Sequence, residues 1–117
     1  VRTALEGFVD VGRQFDLVIL DPPRMARARS GIDRALNGYL RFNELGVRVV
    51  RPGGILVTCS CSGLVTRAEF MEVISETARQ SGRDIQILEQ HGQPPDHPIS
   101  ATCPESEYLK VVICRVV

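Results

Sequence analysis

The sequence lacks several features that would place it in a specialised class of protein. It contains no tryptophan, and a single lysine stands against thirteen arginines. No apolar run approaches the roughly 18 residues of a membrane-spanning helix. The first ten residues, VRTALEGFVD, have the pattern of neither a signal peptide nor a transit peptide. These absences favour a cytoplasmic protein that does not enter a membrane.

The charge of the chain is balanced overall but uneven along its length. Its 117 residues, 44% of them apolar, suit one domain near the small end for an α/β fold. Basic and acidic residues number 14 each, so no global field attracts nucleic acid. Seven arginines nevertheless lie between Arg24 and Arg51, against only two acids, Asp33 and Glu44. This basic segment is either a surface that faces a polyanion or a solvated helix face.

The four cysteines, Cys59, Cys61, Cys103 and Cys114, do not show the spacing of a small secreted domain, so free thiols in a reducing compartment are the default. A zinc site is not predicted, because a Cys-x-Cys pair lacks the Cys-x2-Cys knuckle geometry. A role as a small buried hydrophobic residue suits Cys114 well and Cys59 in part. A nucleophile is better placed at Cys61, just past a strand and before a helix N-terminus whose dipole favours thiolate.

Alternating apolar runs and helical patterns predict an α/β fold in the order βαβαββ. The first strand, Gln14 to Leu20, is a continuous apolar run of the kind buried on both faces. The next two predicted strands are Ile55 to Cys59 and Ile85 to Leu88. The β-branched stretch from Tyr108 to Val117 needs partners on both sides. The predicted sheet is largely parallel, with an antiparallel last strand.

Two helices are predicted from capping signals and apolar spacing. Ser30-x-x-Asp33 predicts a capping box for the first helix, whose apolar face runs on to Val50 before Pro52-Gly53-Gly54 stops it. Thr66-x-x-Glu69 predicts a second capping box, and Gly82 is the natural C-cap of that helix. Its expected buried face consists of Phe70, Val73, Ile74 and Ala78.

Two polar clusters follow consecutive predicted strands. Asp21-Pro22-Pro23 ends the first strand, and Cys59-Ser60-Cys61-Ser62 ends the second. Ligands of open α/β sheets bind outside the carboxyl ends of the strands, so both clusters are expected at one edge. The two prolines fix φ and carry no N–H, which can hold a loop rigid against a flat ligand while Asp21 points into the cleft. An ordinary turn that leaves the sheet is the alternative.

These motifs together carry a family resemblance. FDLVILDPPRM, RPGGILVTCSCSGLVTRAEF, DHP at 96–98 and PESEYLK at 104–110 resemble the C-terminal half of the bacterial large-subunit ribosomal RNA cytosine-5 methyltransferases that carry an N-terminal PUA domain. The resemblance covers roughly residues 8–117. It implies a Rossmann-like class I methyltransferase fold, of which this chain would form strands 4 to 7 with two helices. It also implies an S-adenosylmethionine-dependent enzyme with an RNA substrate, ribosomal by the family's specificity.

The resemblance implies roles for individual residues. Asp21, with Pro22 and Pro23, would line the target-base pocket, and Asp21 and Pro22 would also border the cofactor. A cysteine of the TCSCS motif would attack carbon 6 of cytosine, and Cys61 is favoured over Cys59. Some related enzymes have a second cysteine just after the prolines, at the position where this chain has Arg24. The resemblance therefore places Arg24 on the substrate side of the site.

His97 of the DHP motif is either a substrate-side residue near the cleft or a polar cap on its own turn.

The cofactor-binding elements of this fold are missing from the sequence. There is no glycine-rich turn and no acidic strand end ahead of Leu17, although such sites need both. The chain is therefore expected to be the C-terminal part of one catalytic domain, inactive alone and with negligible affinity for S-adenosylmethionine. The first strand would present a bare apolar edge, which predicts a homodimer. Alternatives are a uridine-5 or amino methyltransferase, or a non-catalytic RNA-binding domain.

Overall fold

The computed structural model describes residues 2–26, 28–103 and 106–117, and only the backbone of Arg2. Arg27 of the basic segment, and Pro104 and Glu105 of the PESEYLK motif, lie outside the described residues. The secondary structure comprises α1 (Arg2–Asp10), β1 (Phe15–Leu20), a 3-10 turn (Arg29–Gly31), α2 (Ile32–Arg48), β2 (Val50–Ser60), α3 (Arg67–Ser81), β3 (Ile85–His91) and β4 (Lys110–Val116). The predicted βαβαββ order is confirmed, and α1 is an additional helix that the sequence analysis did not predict.

The four strands form one mixed sheet in the order β1-β2-β4-β3. β1 and β2 are parallel, whereas β4 is antiparallel to both β2 and β3. The antiparallel last strand is therefore confirmed, as is its need for a partner on each side. No helix among the described residues is long and apolar enough to cross a membrane.

The expectation that β1 is buried on both faces is wrong. Leu20 is buried, but Leu17 is 55% exposed and Ile19 is 62% exposed. Alternate residues of a strand point to opposite faces, so one face of β1 packs on the core while the other is bare. β1 is also an edge strand, since β2 is its one neighbour in the described sheet.

β2 begins earlier than predicted because its Pro-Gly-Gly segment lies within the strand. α2 ends at Arg48, so Val50, predicted to be helical, is the first residue of β2. The register with β1 jumps from Phe15 opposite Val50 to Leu17 opposite Ile55, which leaves residues 51–54 as a bulge. A Cβ on Gly54 would lie 2.8 Å from the Arg51 carbonyl oxygen, so the bulge requires glycine there.

The predicted capping box at the start of α2 is wrong. Ser30 lies in the 3-10 turn, the N-cap is Gly31, and no side chain caps the helix. The box at α3 is confirmed: the Glu69 N–H donates to Thr66 Oγ1 (3.1 Å), and the Thr66 N–H donates to Glu69 Oε1 (3.0 Å). Gly82 closes α3 in the left-handed conformation, as predicted.

One hydrophobic core joins the helices to the sheet. Of the predicted α3 face, Phe70, Val73 and Ile74 are buried and Ala78 is partly exposed. The Phe70 ring meets the Tyr39 ring of α2 edge to face, with centroids 5.8 Å apart. This contact fixes the side of α2 that faces the candidate site.

Candidate active site at the ends of β1 and β2

The two polar clusters lie side by side at one edge of the sheet. Leu20, the last residue of β1, is paired with Thr58 of β2, so Asp21 and Cys59 follow next to each other. The Cys61 thiol lies just past the end of β2 and donates to the Pro22 carbonyl, with Sγ 3.8 Å from the oxygen. The proline loop (residues 21–23) and the cysteine segment (residues 59–62) therefore lie together at one edge of the sheet, as predicted.

Ser62 is the centre of a buried hydrogen-bond network that fixes this site. Its hydroxyl lies 2.7 Å from the Tyr39 hydroxyl and accepts the Met25 N–H at 3.2 Å. Its carbonyl oxygen accepts both the Val65 N–H at 3.1 Å and the Lys110 ammonium at 2.6 Å. Ser62 is fully buried, so each of these bonds replaces a lost contact with water. The network ties the loop after Pro23, helix α2 and strand β4 to one residue.

A second pair of bonds anchors the segment before the cysteines. Thr58 Oγ1 donates to Asn43 Oδ1 at 2.6 Å, and Asn43 Nδ2 donates to the Tyr39 carbonyl at 2.8 Å. Thr58 and Asn43 are both buried. Tyr39 therefore bonds directly to the end of the cysteine segment through its hydroxyl, and its carbonyl supports the beginning indirectly by accepting from Asn43, which bonds to Thr58. The Thr-Cys-Ser-Cys-Ser sequence is held at both ends by α2.

The two cysteines of the motif differ in environment. Cys59 is buried, and burial, followed by the nearby charges of Asp21 and Cys61, raises its pKa to about 11. A neutral thiol is therefore favoured at Cys59. Cys61 is only partly buried, and its thiol contacts the carbonyl of Pro22, the residue after the exposed Asp21. Cys114 is a fully buried residue of β4 and, as predicted, part of the hydrophobic core.

Three of the four remaining residues assigned to the substrate side are exposed. Pro22 is buried, whereas Pro23 and Arg24 are exposed, and Arg24 Nε donates to the Ala26 carbonyl at 3.1 Å. His97 is exposed in the loop before β4. Its Nε2 lies 3.8 Å from an Asp96 oxygen, and its ring packs edge to face on Tyr108. These described contacts of the His97 ring are with residues of its own loop.

The basic segment divides into paired and unpaired arginines. Arg29, Arg41 and Arg51 form ion pairs with Glu69, Glu44 and Asp16, respectively. Arg24, Arg34 and Arg48 are exposed and have no carboxylate partner among the described residues. The Arg29 guanidinium donates hydrogen bonds to both Glu69 carboxylate oxygens. These bonds are the largest of the causes that lower the pKa of Glu69 to about 2.

The structure adds Lys110 to the site, a residue that the sequence analysis did not assign. It is the only lysine of the chain, and it is fully buried beside the cysteine segment. The feature of the sequence that could have indicated Lys110 is that it is the only lysine, whereas the chain has thirteen arginines. Within the described part of the chain, no cluster of three or more His, Cys, Asp or Glu side chains could hold a metal ion.

The chain is similar in sequence to curated ribosomal RNA methyltransferases. It is 43% identical over 96% of its length to the Ribosomal RNA large subunit methyltransferase I of Klebsiella pneumoniae subsp. pneumoniae, and 44% identical over the same share to that of Salmonella arizonae. It spans only 28% of the length of each of these relatives. No family model matches the chain.

Solved methyltransferase structures share its fold. A protein described as a methyltransferase and solved with SAH superposes with a TM-score of 0.81 at 19% identity, covering 99% of this chain and 30% of that one. A protein from Streptococcus mutans described as SAM-dependent gives 0.79 at 17% identity, covering 97% and 28%. A methyltransferase homologue from Pyrococcus horikoshii gives 0.67 at 24% identity, covering 97% and 43%. The chain therefore has the fold of the C-terminal part of a class I, Rossmann-like methyltransferase domain.

Proposed function

We propose that this chain is the substrate-side part of an S-adenosylmethionine-dependent methyltransferase that acts on carbon 5 of a cytosine in large-subunit ribosomal RNA. The observation that carries the proposal is the contact between the two polar clusters, where the Cys61 thiol meets the Pro22 carbonyl beside Asp21. The curated relatives are named for methylation of this class of RNA. They leave the modified atom open, and the cysteine pair favours carbon 5.

A cysteine thiolate would activate the cytosine carbon that accepts the methyl group. Carbon 5 of cytosine is a weak nucleophile, and addition of a thiolate to carbon 6 makes it enamine-like. Cys61 is the proposed nucleophile, because it follows the strand end and is partly open, whereas buried Cys59 has a pKa of about 11. Asp21 would hydrogen-bond near the ring nitrogen and so assist the addition. After methylation, a general base takes the proton from carbon 5 and the carbon–sulfur bond breaks, which restores the carbon 5–carbon 6 double bond and releases the cysteine as a thiolate.

The chain offers one side of a cofactor site. Asp21 and Pro22 follow a parallel strand at the edge where doubly wound sheets bind nucleotides, so these two residues fit the reactive end of S-adenosylmethionine. When bound there, the cofactor supplies an electrophilic methyl group. The buried Pro22 fixes the loop, and its carbonyl accepts the Cys61 thiol, which keeps the nucleophile next to this position.

RNA is the proposed partner, and the unpaired arginines support it. Arg24 lies immediately after the proline loop, and its exposed guanidinium has no carboxylate partner in the described structure. A cation at the rim of the site can hold a phosphate of the nucleotide strand while the base enters. His97 takes the alternative role of a loop residue that supports Tyr108. An N-terminal PUA domain would add RNA contacts in the longer protein.

The free edge and bare face of β1 need a partner in the longer protein. Leu17 and Ile19 expose apolar surface there. Within one catalytic domain, further strands would pair with the free edge of β1, and other elements of the domain would cover the face that carries Leu17 and Ile19. In the isolated chain, the same edge favours a homodimer. Light scattering across micromolar concentrations tests this dimer, and a monomer at every concentration would exclude it.

Methyl transfer from labelled S-adenosylmethionine to unmodified ribosomal RNA tests the proposed function. The full-length protein that carries this chain should label cytosine, Cys61→Ala should abolish labelling, and the matched variant Cys59→Ala should retain most of it. Equal labelling by the wild type and Cys61→Ala would remove Cys61 as nucleophile. Activity that survives loss of both cysteines would indicate an amino methyltransferase, labelled uracil a uridine-5 enzyme, and RNA binding without transfer a non-catalytic domain.

A further inference from the structure

The single lysine of the chain lies in the interior, beside the segment that carries the cysteines. Lys110 begins β4 and is paired with Ser60 of β2. Its side chain is fully buried. A buried ammonium group is rare, because removing its charge from water is strongly unfavourable without compensating partners. Its position therefore requires an explanation from its contacts.

The contacts of Lys110 are with the backbone around the candidate site. Its Nζ donates to the Ser62 carbonyl at 2.6 Å and to the Tyr108 carbonyl at 3.2 Å. No carboxylate among the described residues forms an ion pair with it. Ser62 directly follows Cys61, and its carbonyl also accepts the Val65 N–H. The ammonium group thus fixes the backbone of the turn from which the Cys61 side chain projects.

The charges around Lys110 come from three elements. Burial lowers the pKa of Lys110 to about 8, while Glu107 of the preceding loop, Cys61 after β2 and Glu69 of α3 favour the charged form. Arg67 of α3 opposes it. The charged form of Lys110 is therefore stabilised by nearby negative groups, and one of these groups is Cys61, the proposed nucleophile.

We propose that Lys110 is a positioning residue for the Cys61 thiol: its ammonium group, bonded to the Ser62 carbonyl, holds the turn from which the thiol projects. This inference rests on the proposed role of Cys61. A lysine suits the position better than an arginine because a compact ammonium fits between two carbonyls. A planar guanidinium has five donors to satisfy in the same space. The composition agrees, since lysine occurs here and at no other position.

A direct test uses the fact that the chain has one lysine. In the isolated 117-residue chain labelled with ¹³C-lysine, a single side-chain resonance reports the protonation of Lys110 as pH is varied. We expect a midpoint near 8 in the wild type. Cys61→Ala should move it to lower pH, because the ammonium loses a negative neighbour. The matched variant Cys103→Ala, at an exposed position, should leave it in place. An unchanged midpoint in Cys61→Ala would overturn the proposal.

A second test measures the reactivity of the thiol itself. In a Cys103→Ser background, Cys61 is the only cysteine that is not buried, so iodoacetamide reports on it alone. Lys110→Met should slow alkylation at neutral pH by about tenfold, the size expected for loss of one charge-assisted contact. The control Thr77→Val removes a buried hydrogen bond within α3 and should not change the rate.

The two tests separate this inference from the proposed function. Equal alkylation rates in a folded Lys110→Met protein would overturn the positioning role, and if that variant does not fold, the resonance titration decides. Neither measurement needs methyl transfer. A Cys61→Ala enzyme that still methylates RNA would remove the nucleophile assignment, whereas the Lys110 titration would still show whether the two groups are coupled.

Discussion

The bond between the Tyr39 and Ser62 hydroxyls predicts a measurable coupling energy. The two oxygens lie 2.7 Å apart, and both residues are fully buried. Tyr39→Phe keeps the ring contact with Phe70 and creates no cavity, so its effect isolates the hydroxyl. It leaves the Ser62 hydroxyl without one partner but still accepting the Met25 N–H. We expect a loss of about 1–2 kcal/mol in the free energy of unfolding.

Ser62→Ala should be more damaging because it removes two bonds. It leaves both the Tyr39 hydroxyl and the Met25 N–H without their partner, for a loss of about 2–3 kcal/mol. In the double variant, only the Met25 N–H remains unpaired. The double variant should therefore be no less stable than Ser62→Ala alone, which gives a coupling energy of about 1–2 kcal/mol.

Urea unfolding followed by circular dichroism measures all four proteins of this cycle. The pair Tyr39→Phe and Thr77→Val is the control, because these residues share no hydrogen-bond partner and their effects should add. If the losses from Tyr39→Phe and Ser62→Ala add within about 0.3 kcal/mol, the two hydroxyls do not interact and the network reasoning is refuted.

Three further predictions concern helix packing, acid stability and cofactor affinity. In α2, Gly46→Ala should destabilise the fold, because its Cβ would lie 2.5 Å from Leu20 Cδ1. Gly38→Ala faces only the flexible Met25 sulfur at 3.0 Å and should be neutral or stabilising by up to about 1 kcal/mol; thermal melts that rank the two alike would contradict this. The pKa of Glu69 falls from 4.5 to about 2 on folding, so its contribution is complete above pH 4.5 and is lost as pH falls toward 2. Glu69→Gln should therefore flatten the acid side of the stability profile, and an unchanged slope would show that Arg29 and the Thr66 N–H do not stabilise the Glu69 carboxylate in solution. Calorimetry with these 117 residues should detect no saturable S-adenosylmethionine binding, because Asp21 and Pro22 form only one side of the proposed site, and a tight isotherm would refute the assignment of its other side to residues outside this chain.

Local signals predicted the parts of the fold that local chemistry determines. The sequence predicted correctly the Thr66 capping box, the Gly82 C-cap, and the ends of β1 and β2 just before Asp21 and Cys61. These features depend on residues that are close together in the sequence. The failures depended on distant partners. The sequence pattern assigns Val50 to the helix, whereas in the structure Val50 pairs with β1. The pattern also assigns Ser30 as the N-cap, whereas Ser30 lies in the 3-10 turn and the N-cap is Gly31.

The residues of the candidate site also divide into those that local sequence patterns indicate and those whose position depends on distant parts of the chain. Asp21, Pro22 and Cys61 were identifiable because each follows a strand. Lys110 was not, because its role depends on the antiparallel pairing that sets it opposite Ser60. The difference between the cysteines likewise depends on burial, and the exposure of Leu17 depends on which surfaces of the sheet are covered.

The strand order has a consequence for synthesis of the chain on the ribosome. β3 pairs with β4 alone, and β4 also forms the second neighbour of β2. When residues 85–91 leave the ribosome, their partner strand has not yet been made, and almost twenty residues separate the two strands. Until then, the nascent chain exposes the unpaired backbone of β2 and β3, both of which can pair with another chain. Because β4, the last of the four described strands, lies between β2 and β3, this half of the sheet can close only after β4 has been made.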